Sequence, residues 1–152
     1  MNKQNFYDLN FDQLKNFLIE KTEIDDKKAK MRAQQMFNAV YKKNIKNFDE
    51  LTTFGLELRE KIKNLISLEK PKIIDIQKSK DGTIKFLLEL KDKRNVETVL
   101  IPDKSQSRYT ICLSVSVGCY LSCEFCATAQ ISKKLVRNLT PGEIISQIIL
   151  CK

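Results

Sequence analysis

The chain has 152 residues, of which 42% are hydrophobic and 30% charged, and 27 lysines and arginines against 19 aspartates and glutamates give it a net charge of +8. This composition is that of a globular protein and is too apolar for a wholly disordered chain. The absence of histidine excludes Ser-His-Asp and Cys-His catalysis, and any histidine-ligated metal, within these residues.

The first part of the chain, residues 1–70, is predicted to form a helical domain. Asn10 can cap a helix, with Gln13 as its capping-box partner, and a second helix is expected over about 27–43. Asn47 begins another capping box, and a further helix follows it. We expect the apolar positions at helical spacing to form a small core; they are Phe11, Leu14, Leu18, Ile19, Ala29, Ala33, Met36, Phe37, Val40, Tyr41, Leu58, Ile62, Leu65 and Ile66.

The pattern then changes, and residues 71–104 are predicted to form a β segment. The dipeptide Asp81-Gly82 predicts a hairpin between an isoleucine-rich run at 73–76 and a return strand at 83–90. A third strand is expected at 95–101, stopped by the proline that follows it.

The last part, residues 105–152, reads as strand, cysteine loop and helix. The strand is expected from Tyr109 to Val117, and Thr140-Pro-Gly-Glu143 is a capping box that starts an amphipathic helix. This order is the start of an α/β unit. Because a lone unit of this kind lacks its next parallel strand, we expect the sequence to be cut short.

The five cysteines lie within the last third of the chain, and none occurs in the first 111 residues. An odd number crowded at one end does not fit a disulfide framework. The chain has no apolar run of the roughly 20 residues that a membrane helix needs, and its first ten residues lack the apolar core of a secretory signal. We therefore expect a cytoplasmic protein without a membrane partner, in which close cysteine spacing indicates metal or redox chemistry.

Three of these cysteines, Cys119, Cys123 and Cys126, have the spacing C-x3-C-x2-C. Three thiolates on one loop can ligate three irons of a cubane cluster and leave the fourth iron open to another ligand. The alternatives are a structural zinc site, with Cys112 or Cys151 as the fourth ligand, and inert buried cysteines. The spacing itself favours the cluster, and it recurs mainly in radical S-adenosylmethionine (SAM) enzymes.

The resemblance extends beyond the loop. The pattern R-x-T-I-C-x-S-x-x-V-G-C-x-x-x-C-x-F-C-x-T-A over 108–129 resembles the RlmN/Cfr family of radical SAM RNA methyltransferases. The segments R-N-L-T-P-G-E-I at 137–144, D-G-T-x-K at 81–85 and V-E-T-V-L-I-P at 96–102 are similar to further motifs of that family. The helical region resembles its accessory domain, so the match covers nearly the whole chain.

This resemblance implies roles for five residues. Cys119, Cys123 and Cys126 correspond to the ligands of a 4Fe-4S cluster whose open iron binds SAM. Cys112, seven residues before the first ligand, corresponds to the cysteine that forms a transient disulfide with a methyl-carrying cysteine, which would lie beyond residue 152. Glu97 corresponds to the proton acceptor. From the residues alone, Cys112 also fits a packing cysteine of a strand, and Glu97 an outward-facing carboxylate.

The resemblance also implies a fold and a reaction. The fold class is α/β: a helical accessory domain that binds RNA (1–70), a β-hairpin and strand segment that carries Glu97 (71–104), and the first βα unit of a truncated radical SAM partial barrel (105–152). The reaction is methylation of carbon 2 of adenosine in 23S rRNA and in the tRNA anticodon loop through a methyl-cysteine. The alternative within the family is Cfr-type methylation at carbon 8, and outside it a zinc-stabilised RNA-binding module without catalysis.

The implied partners follow from that reaction. They are the two RNAs and an electron donor such as flavodoxin or ferredoxin, and the full-length enzyme is expected to be a monomer. The chain by itself is expected to be inactive. Cys151 is interpreted as a packing residue. The basic residues of the helical domain fit either RNA phosphates or a solvated helix face; they are Lys27, Lys28, Lys30, Arg32, Lys42, Lys43 and Lys46.

Overall fold

The computed structural model describes residues 3–103, 105, 107–121, 123–127 and 136–151. The end of the cysteine motif, at 128 and 129, therefore lies outside the described residues. Contacts divide the chain into two units, Met1–Glu69 and Lys70–Lys152. Helix and sheet are both present, which confirms the mixed α/β composition, whereas the barrel unit stays a prediction. None of the helices in the described ranges is long and apolar enough to span a bilayer.

The first unit contains three helices, α1 (Phe11–Thr22), α2 (Asp26–Phe37) and α3 (Leu56–Leu65). Two short strands, β1 (Gln4–Asn5) and β2 (Ile66–Ser67), pair in parallel and join the two ends of the unit.

Side-chain caps set the helix starts in this unit. The Asn10 carboxamide oxygen accepts from the Gln13 N–H at 2.9 Å, and the Gln13 side chain accepts from the Asn10 N–H at 2.9 Å, so the predicted capping box is confirmed. The box predicted at Asn47 is also present, and it opens a short 3₁₀ turn at Phe48–Glu50. The helix expected over 27–43 is confirmed as α2 followed by a π-helical turn at Asn38–Lys42.

The core of the first unit is apolar. Phe6 is fully buried, and its ring lies 5.4 Å from that of Phe37 and 5.8 Å from that of Tyr41. Burial and the neighbouring Tyr41 raise the pKa of Tyr7 to about 12. Eight of the predicted apolar positions are buried as expected: Leu14, Leu18, Ala29, Ala33, Met36, Val40, Ile62 and Ile66. The other six are half-buried: Phe11, Ile19, Phe37, Tyr41, Leu58 and Leu65.

The second unit is built on a four-stranded antiparallel sheet in the order β3-β4-β5-β6. The predicted hairpin is confirmed: Gly82 takes a left-handed conformation with φ of 95°, which glycine adopts without strain. The strands are β3 (Lys72–Lys78), β4 (Ile84–Glu89), β5 (Asn95–Asp103) and β6 (Arg108–Cys112).

The predicted end of the third strand at Pro102 is wrong. β5 continues through Pro102 to Asp103 and pairs there with β6, with Pro102 opposite Tyr109. β4 pairs with β5 only as far as Leu100, so β5 has one neighbour beyond that point. A proline is tolerated where its missing N–H is not needed by a second strand.

The single strand predicted over 109–117 is also wrong, because it divides. Its first part is β6 in the large sheet, and its second part, β7 (Ser116–Val117), pairs antiparallel with β8 (Arg137–Asn138). Residues 113–115 between them belong to neither sheet. The backbone N–H and carbonyl of Ser114 bond to the Gln147 side chain instead of to a neighbouring strand.

The last helix, α4 (Pro141–Leu150), starts at the predicted capping box, in which Thr140 accepts from the Glu143 N–H. Its isoleucines are half-buried, and its fully buried side chains are Ser146 and Gln147. Cys151 packs against the core of this unit, as expected, and burial raises the pKa of its thiol. The buried core residues are Phe86, Leu88, Leu90, Val96 and Leu139.

Candidate functional site

Glu97 and Cys112 lie on one face of the large sheet. Cys112 pairs with Val99, and Glu97 lies two residues before Val99 on the same strand. Since side chains alternate between faces, Glu97, Val99 and Cys112 point to the same side, and diagonal neighbours of this kind have Cα atoms about 7–8 Å apart. This face is open, because Glu97 and Cys112 are exposed whereas Val96 and Thr98 on the other face are buried.

A lysine accompanies the glutamate on this face. Lys85 is paired with Val99 from the other side, and its Nζ lies 3.0 Å from Oε1 of Glu97. The Glu97 side chain keeps 54% of its exposure in this ion pair. An exposed pair contributes little to stability, so its main physical effect is to orient the carboxylate. The carboxylate remains accessible to a proton donor from outside.

The cysteine loop begins directly after β7. Gly118 turns the chain with φ of 78°, and Cys119, Cys123 and Cys126 follow. All three residues are half-buried, and none of them forms a disulfide. The Leu121 N–H lies 3.4 Å from Sγ of Cys119 and donates to it, and the Cys126 N–H donates to the Cys123 carbonyl at 3.0 Å.

The three thiols lie on one loop, but their positions do not form a metal site among the described residues. Among the described residues, no group of three or more cysteine or acidic side chains is close enough to hold a metal ion. The donor set nevertheless fits an iron–sulfur cluster: three half-buried cysteines outside any disulfide, with a backbone N–H donating to the sulfur of Cys119. Ligand loops of this kind are ordered by the metal itself.

Arg137 closes the base of the loop. Its guanidinium donates to both carboxylate oxygens of Glu143 at 2.7 and 2.8 Å and to Asp92 at 2.8 Å. We call these three side chains the Arg137 clasp. Beside it, the Val136 N–H donates to the Val117 carbonyl at 2.8 Å, so the chain entering the loop is tied to the chain leaving it.

The hydrogen bonds of the Arg137 clasp shift the pKa values of its three side chains. The hydrogen bonds that Arg137 donates to Glu143 and Asp92 raise the pKa of Arg137 above its usual value, and the bond to Asp92 lowers the pKa of that carboxyl group. Burial alone would raise the pKa of Glu143, but hydrogen bonds from Arg137 and the Thr140 N–H outweigh it, so that pKa is lowered. The clasp is therefore fully charged at neutral pH. Sequence reasoning missed Asp92, since nothing local links it to Arg137.

A buried polar cluster lies under the open face. Gln147 of α4 accepts from Thr98 of β5 at 2.7 Å and exchanges two hydrogen bonds with the backbone of Ser114. Sequence reasoning missed this cluster as well. The signal available was a single glutamine among the isoleucines of an amphipathic helix.

The basic residues of the first unit have different surroundings. Arg32 is structural: it lies 4.7 Å over the Phe54 ring and donates to Gln35 and to the Thr53 carbonyl. Lys28 pairs with Asp25. Five of the predicted basic residues are exposed and form no ion pair with the described residues: Lys27, Lys30, Lys42, Lys43 and Lys46.

Comparison with known proteins finds relatives that cover both units. Residues 4–68 match the family model of the ribosomal RNA large subunit methyltransferase N-terminal domain. The dual-specificity RNA methyltransferase RlmN of Campylobacter fetus is 39% identical over an alignment that covers 98% of this chain and 42% of that protein. The RlmN protein of Novosphingobium aromaticivorans is 41% identical, with 89% of this chain and 30% of that protein covered.

A solved structure agrees with these relatives. A radical SAM methyltransferase from Sphaerobacter thermophilus superposes with a TM-score of 0.80 at 31% identity, and the match covers 97% of this chain and 41% of that one. The chain spans about two fifths of the length of the Campylobacter fetus relative and of this structure. In sequence and in fold, the chain thus matches the N-terminal part of the RlmN/Cfr family of radical SAM methyltransferases, which confirms the recognition made from its motifs.

Proposed function

We propose that this chain serves a radical SAM methyltransferase that methylates carbon 2 of adenosine in 23S rRNA and in the tRNA anticodon loop through a methyl-cysteine intermediate. The observation that carries the proposal is the joint placement of Glu97 and Cys112 on one open face of the paired strands β5 and β6. Only residues 113–118 separate the end of β6 from the first cysteine of the loop. Because the chain spans only part of its relatives, the activity belongs to the whole enzyme.

The cysteine loop supplies the cofactor site in this proposal. Cys119, Cys123 and Cys126 hold a 4Fe-4S cluster, and SAM binds the iron that no cysteine occupies. When bound, this pair supplies the radical chemistry that an unreactive adenine carbon requires. The Leu121 N–H donates to Sγ of Cys119 at 3.4 Å and would help to orient this ligand.

Glu97 and Cys112 carry the proton and sulfur steps. Adding a carbon to an adenine ring position requires loss of the ring proton, and an exposed carboxylate oriented by Lys85 can accept it. Cys112 is exposed and forms no disulfide in this structure, so its thiolate can attack the sulfur of the methyl-carrying cysteine. As the sulfur–sulfur bond forms, the bond between that sulfur and the carbon now attached to adenine breaks, and this carbon takes up a proton to give the methyl group of the product. Electrons for the cluster come from a flavodoxin or ferredoxin, and the enzyme acts as a cytoplasmic monomer.

Cluster binding is the first test. After anaerobic reconstitution with iron and sulfide, the chain should hold about four irons and show a visible absorbance that dithionite bleaches. Cys123→Ala should abolish this absorbance, and Cys151→Ala, at a packing position, should retain it. Stoichiometric zinc without iron would refute the radical SAM assignment and favour the zinc-stabilised RNA-binding module.

The reaction needs the rest of the enzyme. Joined to the remaining part of the Campylobacter fetus relative, the chain should form 2-methyladenosine in rRNA and tRNA, detected by mass spectrometry of the nucleosides. Glu97→Gln and Cys112→Ala should each abolish product, whereas Cys151→Ala should not. The chain alone should form none. Release of 8-methyladenosine instead would favour the Cfr-type alternative.

RNA binding is tested on the exposed lysines of the helical unit. Changing Lys42, Lys43 and Lys46 to glutamine should weaken binding of an anticodon stem-loop and lower the salt dependence of the affinity by roughly two to three charges. The matched control changes three lysines that already pair with carboxylates, namely Lys28, Lys61 and Lys63. Equal losses in both triple variants would contradict a specific RNA-binding surface.

A further inference from the structure

The helix α4 buries polar side chains where its isoleucines are only half-buried. Gln147 is fully buried and Ser146 is 1% exposed. Removing an amide from water is unfavourable unless its hydrogen bonds are replaced. The burial of Gln147 therefore depends on the partners that it finds.

Gln147 uses its full hydrogen-bonding capacity. Its Oε1 accepts from the Thr98 hydroxyl at 2.7 Å and from the Ser114 N–H at 3.0 Å. Its Nε2 donates to the Ser114 carbonyl at 2.9 Å and to the Glu143 carbonyl at 3.3 Å. A carboxamide offers two acceptor positions and two donors, and all four are occupied here.

The amide takes the place of a missing strand. Ser114 lies between β6 and β7, where the chain belongs to neither sheet, and Gln147 binds both its N–H and its carbonyl as a neighbouring strand would. The Ser114 hydroxyl in turn donates to the Glu97 carbonyl at 2.7 Å. Continuing the β5–β6 register places Ser114 opposite Glu97.

Gln147 thereby connects the positions that carry the proposed chemistry. Through Thr98 it holds the residue next to Glu97, and through Ser114 it holds the segment that runs from Cys112 to Cys119. No other residue type offers the same set: glutamate loses the donors and adds a buried charge, and asparagine is one methylene shorter.

We propose that Gln147 is a positioning residue that fixes the segment between Cys112 and the first cluster ligand against the strand that carries Glu97. The roles of those three residues come from the proposed function, on which this inference rests. Gln147 itself touches no reacting atom. It acts by holding backbone, so that the base, the disulfide-forming thiol and the cluster loop keep one geometry.

The test compares Gln147→Met with Val96→Ala in the 152-residue chain. Methionine keeps the length of glutamine without its hydrogen bonds. Val96 is a buried core residue of β5, the strand that also carries Thr98, and it is not one of the hydrogen-bond partners of Gln147. Its truncation should therefore lower the stability of the unit without removing those hydrogen bonds. Gln147→Met should speed amide hydrogen exchange at Ser114 and at residues 115–117 by tenfold or more relative to β4. Val96→Ala should speed exchange evenly over the unit.

The reconstituted iron–sulfur cluster gives a second measurement, its electron paramagnetic resonance signal, which a general loss of stability should not change. The electron paramagnetic resonance signal of the dithionite-reduced chain should change in Gln147→Met and stay unchanged in Val96→Ala. If exchange rises evenly in both variants, or the signal is the same in both, the proposal is overturned. Should Gln147→Met fail to fold, Thr98→Val, which removes one donor only, decides by the same selective exchange at Ser114.

Failure of this inference differs from failure of the proposed function. A wild-type chain that takes up no iron refutes the function. The exchange experiment on the metal-free chain then decides alone whether Gln147 positions the segment.

Discussion

The two units of the chain are stabilised by different interactions. The helical unit buries aromatic and aliphatic side chains around Phe6, and Thr22 is the polar residue buried with them among the described residues. The sheet unit buries five apolar core residues together with Thr98, Ser146 and Gln147, and an arginine clasp closes its loop. The comparison teaches that the buried core of the sheet unit includes directional polar contacts, which fix geometry, whereas the buried core of the helical unit is mainly apolar.

Phe6→Ala should give the largest effect and should be confined to the helical unit. Removing a fully buried ring from the aromatic cluster leaves a cavity, and the expected loss is about 3–5 kcal/mol in the free energy of unfolding. Urea unfolding followed by circular dichroism measures it. Leu56→Ala, at a side chain that is 74% exposed, is the control and should change little. Equal destabilisation of the sheet unit, seen by hydrogen exchange, would contradict the comparison.

Arg137→Gln should act on the sheet unit through polar contacts alone. It removes charged hydrogen bonds to Glu143 and Asp92, and hydrogen bonds of this kind contribute about 1.5–3 kcal/mol. Exchange of the Val136 and Leu139 amides, which bond across the base of the loop, should accelerate most. In the control Lys93→Gln, an exposed pair with Glu89 is lost, and the expected change is below about 1 kcal/mol.

The clasp also predicts a pH dependence. The pKa values of Asp92 and Glu143 are lowered in the folded chain, so their contribution is complete above their unfolded pKa values near 4 and is lost as pH falls through the lower folded values. The difference in urea midpoint between wild type and Arg137→Gln should therefore shrink between about pH 5 and pH 3. A difference that stays constant over this range would show that the clasp does not act through charge.

The capping boxes at Asn10 and Thr140 should give the smallest effects, and equal ones. Asn10→Ala in the helical unit and Thr140→Ala in the sheet unit each remove one cap, at about 1 kcal/mol. Thr140→Ser keeps the hydroxyl and serves as the control. Loss of protection at the Gln13 and Glu143 amides measures the effect in each unit. A much larger effect in either unit would show that the cap there also holds tertiary structure.

Local signals of the sequence predicted much of the fold. The capping boxes at Asn10, Asn47 and Thr140 and the hairpin at Gly82 were all read correctly, because each depends on residues within four positions of one another. The strand end predicted at Pro102 was wrong, because a proline ends a strand only where a second neighbouring strand needs its N–H.

The sequence by itself determined the helix starts, the hairpin, the cysteine spacing and the family resemblance. The tertiary structure decided that residues 109–117 divide between two sheets and that Glu97 and Cys112 share an open face with Lys85. It also joined Asp92 to Arg137 and Thr98 to Gln147, pairs that lie 45 and 49 residues apart. The physical reason is that such pairs depend on the path of the whole chain. No local pattern in the sequence around these side chains predicts a partner so far away.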